Sequence, residues 1–194
     1  MFSTTLFLMT LVQPPYQPVS LAGCSSDTAY PIAQQDSQRL EILKVGDMAP
    51  EFTVEKWDKG ELKLSDRKDK IAVVTFWNSK MKENRLVLNH LQEINTKMKA
   101  DQPYVLMYVN TGDDQATYAD FMTKNSGKFA GHWGYDPLGS SDANSIAWKW
   151  YGATKLPTTY VVGTTGRIFA IIQGYNTGDM RYTSALRGAG LKID

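Results

Sequence analysis

The chain of 194 residues has one cysteine, Cys24, and two histidines, His90 and His132. One cysteine can neither close an intrachain disulfide nor supply a CxxC redox pair. So few cysteines and histidines give no zinc spacing, and no metal or other cofactor is expected. Charge of one sign is lacking as well. Lys and Arg number 21 against 20 Asp and Glu, a net charge of +1. The chain as a whole therefore has no electrostatic footprint for nucleic acid. No stretch approaches the roughly 18–20 apolar residues of a spanning helix. There is no Gly-rich phosphate loop and no Ser-His-Asp arrangement. Hydrophobic content of 42% and charged content of 21% are the values of a globular domain.

The first residues, MFSTTLFLMTLV, form a short apolar run, and Leu21-Ala22-Gly23-Cys24 follows. Those four residues resemble the lipobox of bacterial lipoprotein precursors, in which the cysteine is lipidated. The run has no Lys or Arg at its start, and Gln13 to Pro18 interrupts it, neither of which suits a signal peptide. The alternative is a tail with a chance LAGC. The expected organisation is an export signal over 1–24, a polar tether over 25–44 and one domain over 45–194. A lipid on Cys24 would anchor the protein rather than make it span, and would be its only link to a membrane.

Within the domain, Phe52, Val54 and Trp57 alternate with polar residues, and Lys59-Gly60 turns the chain into Leu62-Lys63-Leu64. This reads as a β-hairpin. Ile71 to Trp77 is apolar on both faces, as in a strand covered from both sides. A helix from Lys82 to about Met98 carries Leu86, Leu88, Leu91, Ile94 and Met98. Tyr104 to Asn110 is a second buried strand, and Asp113-Asp114 can cap a helix with Tyr118, Phe121 and Met122 on its apolar face. Residues 131–136 form a short strand or extended loop. Ser141 or Asp142 starts a further helix that stops at Gly152. Thr158 to Val162 and Ile168 to Ile172 are joined too tightly to be parallel, so the sheet is mixed. A last helix runs from about Gly178 to Arg187.

Five motifs in this order carry a resemblance. They are Val45-Gly46-Asp47-x-Ala49-Pro50-x-Phe52; Val74-x-Phe76-Trp77; Asp136-Pro137-x-Gly139 with Tyr151-Gly152; Leu156-Pro157-Thr158-Thr159-Tyr160-Val161-Val162; and Gly166-Arg167-Ile168. Arg85 and His90-Leu91 add to it. The chain resembles the TlpA/ResA branch of the AhpC/TSA and redoxin superfamily from about residue 44 to the end. The resemblance implies an α/β, thioredoxin-like three-layer sandwich: a mixed central sheet flanked by helices, with an N-terminal β-hairpin. It also implies a cis bond at Leu156–Pro157 and a groove there that holds polypeptide.

The departure is at the centre. The family's Trp-Cys-x-x-Cys motif falls on Lys80-Met81-Lys82-Glu83-Asn84. Methionine has no proton to lose and cannot be the attacking thiolate, and Asn84 cannot resolve a mixed disulfide. No catalytic residue is expected. The expected partner groove comprises Trp77, Lys80, Met81, Lys82, Leu156, Pro157 and Thr158. A basic cluster of Arg67, Lys68, Lys70, Lys80, Lys82 and Arg85 reads either as a solvated face or as a docking patch. The favoured function is a redox-inactive module on the cell envelope that binds an extended peptide or an envelope protein. Two readings stay open beside it: thiol–disulfide or redoxin activity by a route the residues do not show, and a part in assembling an envelope complex.

Overall fold

The computed structural model describes residues 42–67, 69–99, 101–139 and 144–194. The expected export signal over 1–24 with Cys24, most of the expected tether, Lys68 and the expected helix start at Ser141 or Asp142 lie outside the described residues. The elements run β1 (Thr53–Lys56), β2 (Glu61–Lys63), β3 (Ile71–Trp77), α1 (Lys82–Lys97), β4 (Tyr104–Thr111), α2 (Gln115–Asn125), β5 (His132–Asp136), β6 (Thr158–Val162), β7 (Ile168–Gln173) and α3 (Met180–Gly188). The seven strands form one mixed sheet in the order β2-β1-β5-β4-β3-β6-β7. β3 pairs with β4 in parallel and with β6 antiparallel, and β4 pairs with β5 in parallel. β1 and β2 form the expected hairpin and dock antiparallel on β5.

Every residue of β3 is buried. Its alternation divides the core in two. Ile71, Val73 and Trp77 join a cluster with residues of α1, α2 and α3. Ala72, Val74 and Phe76 join a second cluster with Phe52, Val54, Tyr151 and Tyr160. This is the period-2 pattern of a strand packed on both faces. The two outer layers are unequal. All three α-helices contribute to one face. Among the described residues the other face is closed by loop segments, a 3-10 turn at Leu64–Arg67 and a single π-helical turn at Ile146–Trp150. That turn is capped by Ser145, whose hydroxyl accepts from the Trp148 amide at 3.1 Å. It ends before Gly152, whose φ of +62° suits glycine.

α1 buries Asn84, Val87, Leu88, Leu91 and Ile94 and ends at Lys97. The expected face is thus corrected at its edges. Leu86 is only half-buried, because the helical spacing that seats Leu88 and Leu91 puts Val87 inward and rotates Leu86 to the side. Asn84 is the polar member of the inward stripe.

Gly134 marks the tightest approach between β5 and the hairpin. A Cβ there would collide with Val54 Cγ2 and come within 3.1 Å of Leu62 Cδ2. Gly134→Ala should therefore destabilise the fold by about 1–3 kcal/mol. Thermal unfolding of the two proteins checks this, and an unchanged Tm would refute the close packing.

Candidate functional site

The carboxyl ends of β3, β4 and β5 meet the start of β6 at one end of the sheet. In open α/β sheets this is where ligands bind. β3 stops at Trp77, and α1 begins at Lys82 with Met81 as its N-cap at φ −99° and ψ 138°. Methionine offers no oxygen to the first turn, and its side chain makes no capping bond. Asn78 supplies one instead: its Oδ1 accepts from Asn84 Nδ2 at 2.8 Å and from the Met81 amide at 3.4 Å. The Asn84 side chain is fully buried. The Met81–Asn84 pair therefore has one exposed and one buried position, filled by a thioether and an amide.

A buried carboxylate pins this turn from below. Asp113 Oδ2 accepts from the Ser79 amide at 2.8 Å and from Asn110 Nδ2 at 2.7 Å. The Tyr135 hydroxyl donates to the Asp113 carbonyl at 3.0 Å, so β5 joins the arrangement. Lys80 Nζ donates to the Gly112 carbonyl at 2.9 Å. Charge-assisted bonds of this kind are among the stronger ones in a protein. The two neighbouring acids thus divide their work. Asp114 is the cap of α2, accepting from the Thr117 amide at 2.8 Å, whereas Asp113 turns inward and is 3% exposed. The Thr117 amide, then the Thr117 hydroxyl, hold the Asp114 carboxyl below the usual carboxylate range. Neither acid forms an acid–base pair with the other.

The register Phe76↔Thr158 sets Pro157 beside the end of β3, at the level of the turn. The Leu156–Pro157 bond is cis. The Pro157 carbonyl accepts from the Gly174 amide at 2.7 Å, and the Thr158 hydroxyl donates to the Lys155 carbonyl. The backbone N–H and C=O of Leu156, between these two anchors, have no hydrogen-bond partner among the described residues.

The expected groove residues separate by depth. Lys80, Met81 and Lys82 are exposed, with Met81 at 47%, and Leu156 is half-buried. The side chains of Pro157 and Thr158 are buried. Trp77 lies beneath the surface altogether, 4.7 Å from the Phe121 ring and 5.6 Å from that of Trp133. Its position at the end of an all-buried strand sends its ring into the core, so it is a support of the turn and not a wall of a groove. The basic cluster also divides. Arg67 donates to the Gly163 and Thr164 carbonyls at 3.1 and 3.2 Å. With Lys70 it lies at the opposite end of β3, about 20 Å from Lys80 by strand length. Only Lys80, Lys82 and Arg85 belong to the site.

His90 packs between the rings of Tyr175 and Tyr182, while His132 is exposed at the start of β5. Neither shares a hydrogen bond with Met81 among the described residues. Among the described residues no group of three or more His, Cys, Asp or Glu could hold a metal ion. A cleft of about 320 Å³ lined by Trp57, His132 and Trp133 lies at the far end of the sheet. Sequence reasoning missed the roles of Asn78, Asn110 and Asp113. The signal available was Asn110 at the end of an apolar strand with an acid three residues on.

A model of the AhpC/TSA family matches residues 45–171. The chain belongs to the AhpC/TSA family. Thiol-disulfide oxidoreductase ResA of Bacillus cereus is 23% identical over 157 residues, which cover 81% of this chain and 84% of that one. A thiol-disulfide oxidoreductase from Bacteroides fragilis superposes with a TM-score of 0.61 at 21% identity, covering 73% of this chain and 98% of its own. The exposed lipoprotein thioredoxin of Streptococcus pneumoniae gives a TM-score of 0.57 at 20% identity, with 71% and 99% covered. The fold is thioredoxin-like, and the AhpC/TSA framework surrounds a turn without thiols.

Asp113→Ala should cost about 1–3 kcal/mol, because it orphans the buried Asn110 side-chain donor and the half-buried Ser79 amide. It should also speed hydrogen exchange at the Ser79 amide more than at amides in β6. Exchange that rises uniformly would contradict a local latch. For Asp114 the sign follows from its lowered pKa. Its capping contribution is present above about pH 4, the unfolded value, and is lost as pH falls through the folded one. Asp114→Ala should lower Tm at neutral pH, with the difference closing as pH falls below the lowered pKa of the Asp114 carboxyl. A difference that persists in acid would refute the cap.

Proposed function

We propose that this protein is a redox-inactive thioredoxin-like module that binds an extended polypeptide at the Met81 turn and the Leu156 loop. One observation carries the reading. The N-cap of α1, where a helix start would lower a thiol's pKa, is occupied by a thioether. The relatives are named for thiol–disulfide chemistry, which needs one thiolate to attack and a second thiol to release the mixed disulfide. This turn has neither. What the family scaffold retains is a binding edge. The free N–H and C=O of Leu156 are the groups that pair with an added strand, and Met81 supplies adaptable apolar contact beside them.

The module works outside the cytoplasm, held to the envelope by a lipid on Cys24. The Leu21-Ala22-Gly23-Cys24 segment supports this, as does likeness to a protein named as an exposed lipoprotein. No helix among the described residues is long and apolar enough to cross a membrane.

The test uses the purified protein in two assays. In a dithiol-driven insulin reduction it should give no turnover above the uncatalysed rate. In a titration with an unfolded, cysteine-free polypeptide it should bind, with chemical-shift changes at Leu156 and Met81. Catalysed disulfide exchange would return the protein to the activity for which its relatives are named.

A further inference from the structure

Charge around the Leu156 edge says what kind of peptide would lie there. Lys82 and Arg85 project from the first turns of α1, and Lys155 precedes Leu156. All three are exposed and none forms an ion pair among the described residues. Lys80 adds a fourth cation, steadied by the Gly112 carbonyl. Five carboxylates lie toward this end, and four of them are engaged by partners. Asp113 is buried on Ser79 and Asn110. Asp114 is spent on the α2 cap. Asp136 accepts from the Leu138 and Ile146 amides. Asp179 is paired with Arg181. Glu83 alone stands exposed in the first turn of α1.

Apolar surface lies at the same end of the sheet as these cations. Met81 is 47% exposed and Leu138 48%. Leu138 is carried to this end by the chain at Gly139, where an added Cβ would meet Gly112 Cα at 3.4 Å. A surface with an open backbone edge, exposed apolar side chains and unpaired cations complements one kind of ligand. Its extended main chain pairs with Leu156, an apolar side chain sits on Met81 and Leu138, and acidic side chains flank it.

We propose that the partner is an acidic extended peptide with an apolar residue between its carboxylates. This rests on the binding reading above and adds the ligand's charge pattern. Lys82, Arg85 and Lys155 steer and orient the chain, while Leu156 holds it. Because these charges are exposed, their part should weaken as salt shortens the screening length.

The experiment titrates the protein with three short peptides, followed by fluorescence anisotropy. One places Asp and Glu around a central Leu. The second replaces the acids by Lys. The third repeats the acidic sequence with N-methyl groups on alternate amides. The acidic peptide should bind at least about tenfold more tightly than the basic one at low salt, and should weaken at about 0.5 M salt. The N-methylated peptide should lose binding, since its main chain can no longer donate. Lys82→Glu with Arg85→Glu should reverse the order of the acidic and basic peptides, and Lys155→Glu should reproduce part of that shift. Equal binding of acidic and basic peptides, still abolished by N-methylation, would overturn the charge assignment and leave the groove in place. Failure of every peptide to bind would overturn the groove and the charge assignment together.

Discussion

The carboxylate of Asp113 is the constraint on which the site depends. It lies between the ends of two parallel strands, accepts from the Ser79 amide and the Asn110 side chain, and fixes the chain as it leaves β3. A buried carboxylate without partners would be costly. Paired in this way, it converts the end of a fully apolar strand into a defined turn. Trp77, packed on Phe121 and Trp133, completes the support from the core side. The start of α1, the exposure of Met81 and the placement of Lys80 on the Gly112 carbonyl all follow from that fixed turn.

The hydrogen bonding that closes the Met81 turn is local. Asn84 occupies a fully buried place and donates its Nδ2 to Asn78 Oδ1, which also accepts from the Met81 amide, while the Asn84 Oδ1 has no partner among the described residues. These asparagines let the turn close without sulfur. The β6 loop across from it keeps its geometry independently, because its anchors are the Phe76↔Thr158 pairing and the Gly174–Pro157 bond. The Leu156 edge therefore does not depend on which residues stand at positions 81 and 84. Family membership states the framework, and the residues at the turn place a thioether and an amide within it.

Much of the fold was legible in the sequence, because hydrophobic period follows burial. The unbroken apolar run of β3, the hairpin around Lys59-Gly60 and the tight β6–β7 turn are local patterns with local causes. The absence of thiols at Met81 and Asn84 was equally plain. Depth was less legible. Trp77 was assigned to a groove because it adjoins the turn, yet strand alternation alone places its ring in the core. Charges adjacent in sequence, Arg67 and Lys70 against Lys80 and Lys82, were separated by the length of β3. The Asp113 latch depends on bonds to a residue 34 positions earlier, which no local pattern discloses.

The most direct measurement restores the sulfur. Met81→Cys with Asn84→Cys puts a thiol at an exposed N-cap and a second at the buried position one turn on, with the Asp113 latch untouched. The account predicts that this double variant, folded by near-UV circular dichroism, closes a reversible disulfide and catalyses insulin reduction, which the parent does not. A folded double variant that forms no disulfide and gives no exchange would contradict it, showing that the framework around the turn had changed along with its thiols.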